Sequence, residues 1–250
     1  MTMNDNLLII DFEATCEDPP PEGYHFQIIE IGAAWVSPSG EVLDTFETLL
    51  RADQALSAFC TELTTITQAQ SDSGLSFPEA SIALAEFASR FPSGTWASWG
   101  FGDRKMIERD SAYHGVKNPL EGWAHRNLKL EYHEAKPKKR KQKQHAGMRR
   151  AMIELGIELD GAHHRALPDV LNIAKVFAER ARRETWKTDL TARETARRKA
   201  VSSLKGEDDE AARIVLREVE ILDRDHPIGS AHDWTLAELA RGVLFTGFPW

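Results

Sequence analysis

Leu7-Leu8-Ile9-Ile10-Asp11-Phe12-Glu13-Ala14-Thr15-Cys16 is the stretch on which the fold turns. Four large apolar residues end abruptly in two carboxylates one residue apart. The run is short and half β-branched, and Asn and Asp precede it, so it reads as a buried strand rather than a helix. Side chains alternate along a strand, which puts Asp11 and Glu13 on one face and Phe12 on the other, in the core. Two acids at the end of a buried strand repel each other and are costly to desolvate. Two roles fit the pair at this point. A bound cation could neutralise them, and all-oxygen donors suit a hard ion such as Mg²⁺ or Mn²⁺. Alternatively, Asp11 caps a turn and Glu13 stays in water.

Working outward, residues 17–23 form a proline-rich loop, and residues 26–36 form a second apolar, β-branched stretch. Pro38-Ser39-Gly40 signals a turn, and residues 41–50 resume a strand pattern. A short turn makes that later pair antiparallel. Residues 59–70 read as short helix and loop. Phe77-Pro78-Glu79 opens a helix whose apolar face is expected at Ile82, Leu84, Ala85, Phe87, Ala88 and Phe91. A short aromatic strand follows over residues 95–100, then a helix over 104–113 and another strand at Asn127-Leu128-Lys129-Leu130. Residues 144–156 and 166–184 read as helices, the first with Met148, Met152, Ile153 and Leu155 on its apolar side. Beyond Thr185 the chain is rich in Ala, Arg and Glu, with no strand signal. The expected organisation is an α/β domain over residues 1–184 and a helical C-terminal extension over 185–250.

The composition sets the bounds. The chain has 250 residues, 42% hydrophobic and 28% charged, enough for one large core with an appendage. A net charge of -8 disfavours a general polyanion binder but leaves a local basic patch open, and Lys136 to Lys143 is such a run. Cys16 and Cys60 are the only cysteines and form no CxxC, against a disulfide framework or a thiolate zinc site. No secretory signal and no apolar run of membrane-spanning length is visible, so the expectation is a cytoplasmic protein with no membrane partner.

Two further elements bear on the acid pair. Asp103 follows a buried strand where loop becomes helix, and sites in open α/β sheets gather at such strand ends. It could also serve as a helix N-cap. Asp169 follows Pro168 at the start of an apolar helix, where the helix dipole favours a carboxylate. His163 and His164 stand on the loop before it, and a histidine close to such a site is suited to act as a general base.

Taken in order, Asp11 through Cys16, Ile28-Ile29-Glu30-Ile31-Gly32, Ser98-Trp99-Gly100 with Asp103, and His164 through Asp169 with Asn172-Ile173-Ala174 resemble the DEDDh 3′-5′ exonucleases. The likeness is to the branch that trims RNA 3′ ends, the enhanced-RNAi-type exonucleases, and extends to the segment from Phe59 to Thr67. The resemblance implies a ribonuclease-H-like mixed five-stranded sheet flanked by helices, with the second strand antiparallel. It implies metal ligation of two Mg²⁺ or Mn²⁺ ions by Asp11, Glu13, Asp103 and Asp169, and His164 as general base by its spacing to Asp169. It further implies hydrolysis of single-stranded nucleic acid, RNA in preference to DNA, to nucleoside 5′-monophosphates, with Ala14-Thr15 at the terminal 3′-hydroxyl. Phe26 and Phe101 sit in loop contexts suited to stacking on bases, whereas Trp99 reads as core. The alternatives are a single-stranded DNA exonuclease or proofreading-type activity, and a non-catalytic nucleic-acid-binding module.

Overall fold

The computed structural model describes residues 6–134, 147–161 and 164–182. The opening stretch is strand β1 (Leu7–Ala14), and it lies in the middle of a five-stranded sheet of order β3-β2-β1-β4-β5. β2 (Ile28–Val36) runs antiparallel to both β1 and β3 (Val42–Leu49), while β4 (Thr95–Ser98) and β5 (Ala124–Asn127) run parallel to β1. This is the expected mixed sheet with an antiparallel second strand.

The alternation of β1 divides the core into two layers. Leu8, Ile10 and Phe12 pack with Phe77, Leu84 and Phe87 of α3 (Phe77–Ala88) and Ile107 of α4 (Gly102–Tyr113). Leu7 and Ile9 pack instead with Met148 and Met152 of α6 (Met148–Leu155) and with Val170 and Ile173 of helical residues 166–182, here α7. Each fully buried Leu or Ile contributes roughly 1.5–3 kcal/mol. Asp11 and Glu13 continue the odd-numbered face, so the strand aims them at the α6–α7 side. The short helices α1 (Ala58–Thr64), α2 (Gln68–Asp72) and α5 (Leu128–Glu134) complete the elements.

Three expectations change. Ile82 and Ile153 are 62% and 70% exposed, because the buried stripe of α3 runs through Phe77, Ala80, Leu84 and Phe87, and that of α6 through Met148, Ala151 and Met152. Ala85 is exposed for the same reason. The last strand comes earlier than expected: Ala124–Asn127 pairs with β4, and Leu128 to Leu130 already belong to α5. The Asn127 carboxamide accepts the Leu130 N–H at 2.9 Å and starts that helix, a turn function that apolar patterning does not register. The described residues all lie in the unit ending at Arg182. The basic run Lys136 to Lys143, His163 and the helices expected beyond Thr185 fall outside the described residues.

Candidate active site

The acids meet where the parallel strands end. β1 and β4 run side by side, so their C-terminal ends open on one edge of the sheet. From β4 the chain turns through Gly100, at φ 141°, into the first turn of α4. Asp103 on that turn is only 7% exposed, and its Oδ1 accepts the N–H of Phe12 at 3.3 Å. The N-cap position belongs to Phe101, so Asp103 is tied to β1 between the two acids rather than capping its own helix. Asp169 lies in the first turn of α7, 6% exposed. His164 stands just before it with φ 64°, and its backbone N–H donates to Asp169 Oδ2 at 3.2 Å. Ligand atoms of Glu13, His164 and Asp169 all lie within 4.8 Å of one another.

The electrostatics show an acid cluster under strain. Burial, then Asp103, Glu13, Asp169 and Glu30, push the Asp11 carboxyl well above its usual range. Glu13 is pushed up to about 8, by burial first and then by Asp169, Glu30 and Asp103, with Arg165 pulling the other way. Asp103 is pushed up to about 6 by burial, against hydrogen bonds from Ser98 and from the backbone N–H groups of Asp103 and Phe12. Several carboxyls that resist ionisation in one place, with all-oxygen donors, fit hard divalent cations, whose charge would let every carboxylate ionise.

This has a measurable consequence in the metal-free protein. Between its ordinary value and its raised one, each of these acids holds more proton in the folded than in the unfolded chain, so stability falls as pH rises. For Glu13 the window runs from 4.5 to about 8, and for Asp103 from 3.8 to about 6. For Glu13 alone the loss is on the order of 4 kcal/mol. Tm in EDTA is expected to fall steadily from pH 5 to pH 8, and Mn²⁺ is expected to raise Tm more at pH 8 than at pH 5. A Tm flat across that range, or a metal effect equal at both ends, would contradict the cluster.

The residues expected at the substrate fall into place differently. Ala14 and Thr15 continue β1 past a register shift between Glu13 and Ala14. The Thr15 side chain is buried: its hydroxyl accepts from Gln27 N–H at 2.9 Å and from Gln54 Nε2 at 2.8 Å, and its own N–H donates to Gln27 O at 2.8 Å. The Cys60 thiol donates to Ala14 O at 3.7 Å, and Ser57 Oγ donates to Cys16 O at 2.8 Å. Thr15 therefore braces this segment rather than offering its hydroxyl outward. Phe101 is 52% exposed, with its ring 5.8 Å from that of His125. Phe26 is partly buried, and the Arg109 guanidinium lies over its ring at 5.6 Å. Phe12 and Trp99 pack in the core on opposite sides of the sheet.

Sequence reading passed over Glu30, Gly32 and Arg165 as residues of the site. Glu30 faces Glu13 across the β1–β2 ladder, and Gly32 faces Asp11. Glu30 is fully buried and paired with Arg165. The signal was present as a lone acid inside the apolar run Ile28-Ile29-Glu30-Ile31, since every residue of β2 is buried.

A mixed sheet with acids converging at its strand ends defines a nuclease of ribonuclease-H-like fold. The chain belongs to the exonuclease family, whose model (RNase_T) matches residues 8–177, and its structural neighbours are DEDDh nucleases. It is 33% identical over 181 residues to the Bacillus subtilis protein named "Probable 3'-5' exonuclease KapD", covering 71% of this chain and 84% of that one. It is 32% identical over 217 residues to ERI1 exoribonuclease 2 of Danio rerio, covering 75% of this chain but only 37% of that longer protein. Among solved structures it is similar to the nuclease domain of 3'hExo, a DEDDh family member, bound to rAMP, with a TM-score of 0.64 and 28% identity over 72% of this chain and 93% of that one. Its relatives are 3′-5′ exonucleases, and the family places this chain with them.

Proposed function

We propose that this protein is a metal-dependent 3′-5′ exonuclease that shortens single-stranded RNA in preference to DNA and releases nucleoside 5′-monophosphates. The observation that carries the reading is the convergence of Asp11, Glu13, Asp103 and Asp169 on one strand edge, with His164 beside Glu13 and Asp169. The four carboxylates would hold two Mg²⁺ or Mn²⁺ ions. When bound, the cations supply positive charge at the scissile phosphate and favour ionisation of the attacking water. His164 accepts the proton of that water as general base, and its left-handed backbone turns it toward the acids. Asp169 lies in the first turn of α7, where its Oδ2 accepts the His164 N–H at 3.2 Å. The Ala14-Thr15 backbone receives the terminal 3′-hydroxyl, and the half-exposed Phe101 and partly buried Phe26 give the last bases flat surfaces.

The RNA preference is supported by likeness to proteins named exoribonucleases. It is tested with 5′-labelled RNA and DNA of one sequence and Mg²⁺. RNA is expected to be shortened at least about 10-fold faster, since discrimination rests on contacts to the 2′-hydroxyl. Equal rates or a DNA preference would turn the reading to a DNA exonuclease. Intact RNA and DNA under both Mg²⁺ and Mn²⁺ would leave only a non-catalytic binding module. Among the described residues, no helix is long and apolar enough to cross a membrane. A cytoplasmic setting and a separate C-terminal extension over residues 185–250 belong to the same proposal. Deleting residues 185–250 and measuring solubility and rate distinguishes support of the nuclease domain from a function of its own.

A further inference from the structure

The ion pair behind His164 is unusual for its position. Glu30 sits in the middle of a wholly buried strand, fully buried itself, directly across the ladder from Glu13. It adds a fifth negative charge to a site that already carries four carboxylates. A buried ion pair is weak evidence for stability, because desolvating both charges offsets their attraction. An apolar residue would pack in β2 without that cost. What the pair supplies is geometry. Arg165 Nε donates to both Glu30 oxygens, at 2.9 and 3.1 Å, and its Nη2 donates to Oε1 at 2.5 Å. The N–H of Ala166 donates to Glu30 Oε2 at 2.8 Å. The carboxylate thus grips one side chain and one backbone group of the turn between His164 and α7.

That turn carries functional residues at both ends. The Arg165 carbonyl accepts the N–H of Asp169 at 3.0 Å, and the N–H of His164 donates to Asp169 Oδ2 at 3.2 Å. Two positions along β2, Gly32 sets the distance of closest approach: a Cβ there would lie 2.3 Å from the backbone of Ala166 and Leu167. The turn therefore rests on bare backbone at Gly32 and is clamped by charge at Glu30. His164 holds a left-handed backbone, which costs an ordinary residue free energy and persists only where its surroundings enforce it.

We propose that Glu30 and Arg165 are positioning residues for the reaction, acting through the turn that sets the His164 imidazole against Glu13 and Asp169. The inference rests on the exonuclease reading of this site. Neither residue touches the reacting atoms in this scheme. Arg165 presents a planar fork matched to a carboxylate, so lysine at this position would keep the charge and lose the two-point grip.

The test uses the full chain, 5′-labelled RNA and Mg²⁺, with Glu30→Gln, Arg165→Lys, and Glu30→Gln combined with His164→Asn. Glu30→Gln is expected to lower kcat about 10- to 100-fold with KM within about 3-fold, the size of effect seen when the support of an active group is removed. Arg165→Lys is expected to lose kcat in the same way, and it retains a cation for Glu30 should the glutamine variant fold poorly. In the His164→Asn background, Glu30→Gln is expected to cost less than about 3-fold more, since residues acting as one unit are not additive. A merely structural role would lower Tm and leave that non-additivity absent. Wild-type shortening that Asp11→Asn abolishes upholds the exonuclease reading independently. Against that control, wild-type kcat in Glu30→Gln and Arg165→Lys overturns the positioning role alone, as does a loss that persists undiminished beside His164→Asn.

Discussion

Asp11→Asn is expected to lower the rate of 3′-end shortening by about 10³-fold or more, with the fold intact. The residue lies on the central strand of the sheet, with Ile9 and Ile10 fully buried before it and Gly32 opposite. Its carboxyl feels Asp103, Glu13, Asp169 and Glu30, so it is the acid coupled to every other part of the cluster. Asparagine keeps its shape and removes the charge. In the proposed mechanism that would take away a cation ligand, and loss of metal charge at a phosphoryl centre is worth several powers of ten in rate. Stability is expected to move the opposite way. With one acid fewer, the metal-free variant should melt at a temperature equal to or above wild type at pH 8, because a like charge has left a buried cluster. Activity within about 10-fold of wild type would exclude Asp11 from the metal site. A large fall in Tm would instead make its role structural.

The second large effect is expected at His164. Asparagine is the informative replacement, since it tolerates the left-handed backbone at φ 64° better than alanine. His164→Asn is expected to lower kcat about 10²- to 10⁴-fold, the usual contribution of a positioned general base. Because His164, Glu13 and Asp169 lie close enough to share an ion, the imidazole could act on a cation instead of on a proton. Mn²⁺ affinity separates the two roles. A base leaves the affinity within about 3-fold, whereas removal of a direct ligand weakens it about 10-fold or more. The first outcome together with the loss of kcat is the expected one. Unchanged kcat would remove His164 from the mechanism.

The parts of this protein legible in its sequence are those with a local cause. The run Leu7 to Ile10 followed by Asp11 and Glu13 announces a buried strand with two acids on one face, because strand alternation needs no knowledge of the partners. Pro78 near the first turn announces α3 in the same way. Local pattern and observed structure part where tertiary packing selects among locally equivalent choices. Ile82 and Ile153 are apolar but lie off the stripes that Leu84 and Met152 occupy, and only the neighbouring layer decides which stripe is buried. Leu128 to Leu130 had a strand's apolar spacing, and the Asn127 side chain turned them into helix.

The candidate site divides along the same line. Asp11, Glu13, Asp103, His164 and Asp169 could be named because the short motifs that hold them resemble, in order, those of the DEDDh exonucleases, and each sits where a strand ends or a helix begins. Their convergence, the upward push on Glu13 to about 8, and the bond from Phe12 N–H that ties Asp103 to β1 exist only in three dimensions. Glu30 shows in the sequence only as an unexplained acid, and its pairing with Arg165 belongs to that second kind. A glutamate inside an apolar run has no local reason to be there, and an arginine beside a histidine in a loop has no local reason to matter. Each is explained by the other across the sheet, because a buried charge is tolerable only where the fold brings its counter-charge to meet it.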